Sequence, residues 1–159
     1  MRKKNALRQH YVAKPVEGDK EPEYVRLAKW ITTITDDSDE NTDDQGFYDG
    51  DGSPETTVIS IAEKWNFEGT FDNEDPAQSL IASLKRKTGN DRKLMHKIVE
   101  TNGDTVEGIA TASGIKAGSG EAVEFEEFAC VLNYDKTPTV KPSEKPTPPP
   151  EEKSKSTGR

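Results

Sequence analysis

A period-two alternation of apolar and polar residues constrains this chain more than any other feature. In TTVISIAEKWNFEGTF (residues 56–71), Ile59, Ile61, Trp65 and Phe67 share one parity, and mainly polar residues occupy the other. Such alternation is typical of a β-strand that buries one face. We therefore predict a half-buried strand here, with these four apolar side chains in the core.

Three further segments also predict strands. EYVRLAKWITTIT contains Trp30 among β-branched residues, and we place Trp30 in the core. RKLMHKIVETNGDTVEGIATA contains an Asn-Gly pair, which is a strong signal for a β-hairpin. In EAVEFEEFACVLNY the alternation changes parity between Phe125 and Phe128. That change predicts a β-bulge at Glu126–Glu127.

One segment, DPAQSLIASLKRKTG, has the pattern of an amphipathic helix. It begins with an Asp-Pro pair, which suits an N-cap and a first helical position, and it ends in basic residues that suit the helix dipole. We predict a helix at about 76–87 that packs on the sheet. Its apolar stripe consists of Leu80, Ile81 and Leu84.

The predicted order of elements is strand, acidic loop, strand, helix, hairpin and strand. This order has no βαβ alternation, so it predicts an α+β, mainly β fold. We expect an antiparallel β-sandwich or barrel with one packed α-helix and a long acidic loop. Residues 136–159 contain six of the ten prolines and one large apolar residue, Val140. They offer too little apolar surface to offset the entropy of ordering. We therefore predict a folded domain over 1–135 and a Pro-rich, disordered tail over 136–159.

The acidic loop, residues 36–55, has the sequence DDSDENTDDQGFYDGDGSPE, with nine acidic residues and no basic ones. Residues 1–35 carry eight basic and four acidic residues, so the start of the chain is basic. No register of the loop satisfies the EF-hand pattern. A looser cation site, a solvated charged loop and a contact between copies of the chain all remain open.

Other classes of function find little support. The net charge of −8 argues against nonspecific nucleic-acid binding, which needs basic residues at the phosphates. The single cysteine, Cys130, excludes an intramolecular disulfide and lies in an apolar run typical of a core. The two histidines form no recognisable catalytic pattern, and we place His96 as a packed or partly exposed spacer. We therefore predict no enzyme activity, no cofactor and no bound metal. The chain also shows no secretory signal and no membrane span.

Three stretches together resemble a known family. NTDDQGFYDGDGSPETTV, WNFEGTFDNEDPAQSLIASL and a later VEG…A strand resemble the major tail tube proteins of long, non-contractile-tailed phages of Gram-positive bacteria. The resemblance covers roughly residues 1–134. It implies a β-sandwich or barrel with a flanking helix, assembled as hexameric rings that stack into a tube for the genome. The resemblance implies no catalytic residues in this chain.

The resemblance also implies partners. These are other copies of the chain, a tape-measure protein and tail-terminating proteins, while DNA passes through without specific binding and no membrane is involved. The protein would be made in the host cytoplasm and located in the virion.

In this family a long loop between early strands reaches a neighbouring subunit or ring. We therefore favour a subunit contact for the acidic loop, because its two aromatic residues are more typical of an interface than of a solvated loop. The contact candidates are Asp36, Asp37, Asp39, Asp43, Asp44, Phe47, Tyr48, Arg2, Lys3 and Lys4. The alternative function is a cation-binding β-sandwich interaction module that uses this loop.

Overall fold

The computed structural model describes residues 1–143. Ten strands and one α-helix lie within them, with two short 3₁₀ helices at Asn5–Leu7 and Gly89–Arg92. The strands are β1 (Gln9–Ala13), β2 (Val25–Arg26), β3 (Ile31–Asp36), β4 (Asp39–Gln45), β5 (Glu55–Ala62), β6 (Lys64–Thr70), β7 (Lys93–Val99), β8 (Thr105–Ala117), β9 (Glu127–Tyr134) and β10 (Thr139–Lys141), and the helix is α1 (Pro76–Ser83).

Eight of the strands form one antiparallel main sheet. Its order is β2-β1-β7-β8-β9-β6-β3, and β10 pairs with the start of β8. The other two strands, β4 and β5, form a separate two-stranded sheet. The predicted α+β, mainly β class with one packed helix is thus confirmed.

The core lies on one face of the main sheet, where α1 packs against β1, β2 and β8. Alternate residues of the central strands point into it, as the period of a strand requires. Its largest members are Phe67, Phe128, Leu27, Ile81, Leu94, Ile98 and Leu132. Trp65 and Cys130 are also buried, Leu84 is 7% exposed, and Leu80 packs against the core while partly exposed.

The helix begins where the sequence predicts. The Asp75 carboxylate accepts a hydrogen bond from the Gln78 backbone N–H at 3.2 Å, and Pro76 occupies the first turn. The helix ends at Ser83, four residues before the predicted end. Beyond this end, the Arg92 guanidinium donates to the carbonyls of Lys85 and Lys87 at 2.6 Å each. Those carbonyls belong to the turn and chain that follow the helix.

Three of the predicted core residues lie outside the core. Trp30, Ile59 and Ile61 are 55%, 59% and 50% exposed. The predicted strand over 56–71 is in fact two strands, because the chain leaves the main sheet at Glu63. Period-two alternation does not distinguish a strand on a core from a strand in an unsupported hairpin, and this is why the prediction was wrong there.

From β7 to β9, the structure confirms the predicted hairpin turn and corrects the predicted position of the bulge. The Asn-Gly pair lies in the turn between β7 and β8, with Gly103 at φ 95°, as predicted. The bulge predicted at Glu126–Glu127 is wrong, because β9 begins only at Glu127. Val123 and Phe125 lie in the connection before it, and a bulge occurs instead in β8 between Ser113 and Lys116.

Regular structure continues beyond residue 135. Strand β10 pairs with β8, and the Ser143 backbone N–H donates to the Asp104 carboxylate at 2.8 Å. The start of the segment predicted as a disordered tail is therefore part of the sheet, and residues 144–159 lie outside the described residues. No helix among residues 1–143 is long and apolar enough to cross a membrane.

Candidate assembly surface

Most of the predicted acidic loop is a β-hairpin, which we call the arm. The arm consists of β4, β5 and the turn 46–54 between them. The two strands pair antiparallel from Asp39 opposite Ala62 to Gln45 opposite Glu55. At roughly 3.3 Å per residue the paired part reaches about 23 Å from its base. A long irregular loop was thus the wrong prediction for this segment.

The base of the arm is continuous with the main sheet. β4 follows β3 and β5 precedes β6, and the Asp37 backbone N–H donates to the Lys64 carbonyl at 2.9 Å. The Lys64 ammonium lies 3.6 Å from the Asp37 carboxylate and 3.8 Å from that of Asp39. These contacts hold the junction, whereas every residue of β4 and β5 beyond it is exposed.

A β-bulge gives the arm two different faces. Glu40 pairs with Ile61 and Thr42 pairs with Val58, so Ile59 is an extra residue between two pairs. Residues directly opposite each other share a face, as do alternate residues of one strand. The bulge therefore brings Val58 and Ile61 to the same face, where they are 48% and 50% exposed.

The opposite face of the arm is polar. Asn41 pairs with Ser60, and Asp43 pairs with Thr57. A two-stranded hairpin is at best marginally stable in water by itself, because neither face is covered. A face that carries exposed valine and isoleucine is therefore suited to packing against another surface.

The acidic residues of the arm are spread along it and partly satisfied within it. The Asp44 carboxylate accepts from the Thr56 hydroxyl at 2.6 Å, and the Asp43 carboxylate accepts from the Gln45 amide at 2.7 Å. At the base, Asp36 accepts from the Ser38 backbone N–H at 3.0 Å. Among residues 1–143, no three His, Cys, Asp or Glu side chains are grouped so as to hold a metal ion.

The turn of the arm carries its two aromatic side chains. Phe47 is 55% exposed, and Tyr48 is fully exposed. A Cβ on Gly46 would lie 2.7 Å from the Gly52 carbonyl oxygen, so this close approach requires glycine. The Asp51 carboxylate accepts from the Ser53 backbone N–H at 2.8 Å, which lowers the pKa of Asp51.

The basic contact candidates lie on the N-terminal segment, residues 1–8. Lys3 Nζ donates to the Thr101 carbonyl at 2.7 Å, and Arg8 Nε donates to the Glu100 carboxylate at 2.7 Å. Both contacts are with the turn after β7. Within one chain, the structure therefore places these two basic side chains against that turn.

Sequence reasoning missed a second exposed apolar group, at the end of β6 where Thr70 pairs with Glu127. Trp30, Val123 and Phe125 lie there, with the last two 91% and 88% exposed. The signal for Val123 and Phe125 was present in GSGEAVEFEE, where glycines and glutamates surround both residues. That composition is more typical of a loop than of a strand.

Trp30 is held in one orientation although it is exposed. Its φ of 64° is strained for a bulky residue, and its indole N–H donates to the Asp72 carboxylate at 3.0 Å. Lys29 Nζ lies 3.4 Å from the same carboxylate. A backbone N–H from Glu74 and the Trp30 hydrogen bond lower the pKa of Asp72. A Cβ on Gly69 would overlap the Trp30 carbonyl oxygen, so Gly69 is also required.

The two histidines form a buried pair. His10 Nδ1 and His96 Nε2 lie 3.1 Å apart, and the pair packs against the rings of Trp65, Phe67 and Tyr134. Burial lowers the pKa of His10 to about 4 and lowers that of His96 well below its ordinary value. Both rings are therefore neutral near pH 7 and act as core, which agrees with a packed His96.

Comparison with known proteins gives similarity at the level of structure. No protein-family model and no curated protein matches the sequence. A chain from the tail of an empty gene transfer agent particle, determined with helical refinement and C6 symmetry, superposes with a TM-score of 0.67 at 10% identity. The match covers 89% of this chain and 100% of that one. The two chains share one fold.

A second solved structure agrees. A chain from the virion of a native gene transfer agent particle superposes with a TM-score of 0.63 at 9% identity, covering 84% of this chain and 95% of that one. The resemblance to tail proteins is thus matched by a shared fold. The assignment to phages of Gram-positive bacteria stays a prediction.

Proposed function

We propose that this chain is a structural protein of a phage-like tail. Copies form hexameric rings, and the rings stack into a tube through which DNA is ejected. The observation that carries the proposal is the fold shared with a gene transfer agent tail chain over 89% of the length. Six-fold symmetry in that tail supports the hexamer proposed here.

The arm is the proposed contact between copies. It exposes Val58 and Ile61 on one face and Phe47 and Tyr48 at its tip, and nothing in the described part of its own chain covers them. Interface cores are enriched in aromatic and apolar side chains and depleted of charge. The acidic candidates Asp39, Asp43 and Asp44 would then form the polar rim around this apolar centre.

Charge supports passage of DNA without binding. The net charge of −8 disfavours stable contacts with phosphates, whose neutralisation needs Lys and Arg. A tube built from such chains would let DNA slide. The tape-measure and tail-terminating proteins are the other expected partners, and the assembled protein would be located in the virion after synthesis in the host cytoplasm.

Electron microscopy and sedimentation of the purified protein test the proposal. We expect rings or tubes from the wild type. Val58→Ser with Ile61→Ser should abolish them without unfolding the subunit. The matched control, Thr57→Ala with Ser60→Ala, alters the polar face of the arm and should assemble normally.

Two results would contradict the proposal. A wild-type protein that stays monomeric at all concentrations and salt conditions would rule out self-assembly. If the protein stays monomeric and calcium slows amide hydrogen exchange across the arm, the cation-binding module would be favoured instead.

A further inference from the structure

Two segments at opposite ends of the main sheet differ in charge. β8 runs from the β7–β8 turn at one end to the β8–β9 loop, residues 118–126, at the other. The N-terminal segment contacts the turn through Lys3 and Arg8, so it lies at the first end. The thirteen residues of β8 separate the two ends by up to about 40 Å.

The N-terminal segment is basic and partly apolar. Residues 1–8 carry four basic residues and no acidic ones. Met1 is fully exposed and Leu7 is 59% exposed. The segment therefore offers both positive charge and apolar contact area at one end of the molecule.

The β8–β9 loop has the opposite charge and is also apolar. Residues 118–126 carry three glutamates and no Lys or Arg. The glutamates are Glu121, Glu124 and Glu126. Between them, Val123 and Phe125 expose 91% and 88% of their surfaces.

Backbone hydrogen bonds hold this loop. The Gly118 N–H donates to the Glu127 carbonyl at 3.0 Å, and the Glu127 N–H donates to the Ser119 carbonyl at 2.9 Å. The Phe71 N–H donates to the Glu126 carbonyl at 2.7 Å and ties the loop to the end of β6. A loop fixed in this way loses little freedom on binding, which favours affinity.

We propose that the N-terminal segment of one copy binds the β8–β9 loop of the next copy in a head-to-tail stack. This inference rests on the proposed function, since it requires that copies assemble. A contact between opposite ends of one molecule repeats without closing, as a tube requires. Complementary charge sets the direction of the contact, and Met1 and Leu7 meet Val123 and Phe125.

The position of the arm favours this pairing over a contact between the basic N-terminal segment and the acidic arm, which the sequence predicted. β6 begins at Lys64, beside the base of the arm, and ends at Thr70, beside the β8–β9 loop. The arm therefore leaves the sheet in the direction of the end that carries the N-terminal segment. In a head-to-tail stack, the basic segment meets the acidic loop of the next copy rather than that copy's arm.

Charge reversal tests the pairing. Arg2→Glu with Lys4→Glu should abolish tubes, and so should Glu121→Lys with Glu124→Lys, because each change places like charges together. Lys3 is kept because it contacts Thr101. All four changes in one chain should restore tubes, as should mixing the two double variants. The control, Arg86→Glu with Lys87→Glu, makes the same charge change on exposed residues after α1 and should leave tubes intact.

Cysteine cross-linking provides a second measurement that does not depend on loss of assembly. A chain with Lys4→Cys and Glu124→Cys should give a ladder of disulfide-linked multimers under oxidation, since Cys130 is buried and unreactive. Three results, each obtained while the wild type still forms tubes, would overturn this pairing alone. They are charge-reversal variants that assemble normally, combined variants that do not regain tubes, and a double-cysteine chain that gives no ladder. Absence of tubes from the wild type would overturn the proposed function and this inference with it.

Discussion

The main sheet and the arm are built from similar strands but differ in what covers them. β6 pairs with β3 and β9 and buries alternate residues in the core, with Phe67 fully buried. β5 directly precedes it and is exposed along its whole length. The sequence pattern is the same across both, so the difference comes from the partner each strand finds. One strand is stabilised within its own chain, and we propose that the other packs against a second copy.

The largest expected effect on the stability of the subunit comes from truncating a core side chain of the main sheet. Phe67→Ala should destabilise the free subunit by about 3–5 kcal/mol, the usual range for removing a buried aromatic side chain. Urea unfolding of the monomer measures it. A loss below about 1 kcal/mol would show that β6 does not form the core.

The second effect is a dependence of stability on pH that comes from the core alone. The pKa of His10 is lowered to about 4 in the folded chain, against about 6.5 when unfolded. Between these values the unfolded chain binds more protons, so the folded state loses stability as pH falls. The loss should reach about 3 kcal/mol near pH 4.

Unfolding experiments between pH 7 and pH 4 measure this loss. A variant with His10→Gln and His96→Gln should show a flatter dependence, since neither side chain titrates. An equally steep loss in that variant would assign the effect to carboxylates instead.

A third effect tests the end of the sheet opposite the arm. Gly69→Ala places a Cβ against the Trp30 carbonyl oxygen, which is backbone and moves little. We expect a loss of about 1–3 kcal/mol, typical of overpacking. Thermal unfolding measures it, with Gly50→Ala as the control because its Cβ would meet only ordinary contact at 3.7 Å. A neutral Gly69→Ala would mean that Trp30 is not held in place.

The smallest effect on the subunit should come from the arm. Val58→Ser with Ile61→Ser should change the free energy of unfolding of the monomer by less than about 0.5 kcal/mol, since both residues are already half exposed. The same variant should lose assembly. A large change in monomer stability would show that the arm packs on its own chain.

Local signals predicted the elements better than they predicted what the elements pack against. The Asp-Pro start of α1, the Asn-Gly turn and the alternation through Trp65 and Phe67 all depend on short-range chemistry, and the structure contains each of them. The exposure of Ile59 and Ile61 could not be predicted, because it depends on the chain leaving the sheet at Glu63. Composition likewise predicted a loop for the acidic segment, while pairing across 39–62 makes it a hairpin.

The candidate surface was predicted in part. The sequence drew attention to the acidic segment and its two aromatics, which the structure places together on the arm. Which residues share the apolar face of the arm depends on a bulge at Ile59. No single residue type in the sequence indicates a bulge at that position. The β8–β9 loop was missed because alternation in EAVEFEEF suggested a longer strand than β9 proves to be.

Amide hydrogen exchange across residues 39–62 tests the central claim most directly. In the free subunit the arm should exchange fast, because it is a two-stranded hairpin with both faces in water. In the assembled tube the same amides should become protected, while the amides of β7 and β9 are protected in both states. Fast exchange across the arm in both the subunit and the tube would show that the arm remains in solvent and would contradict its role in assembly.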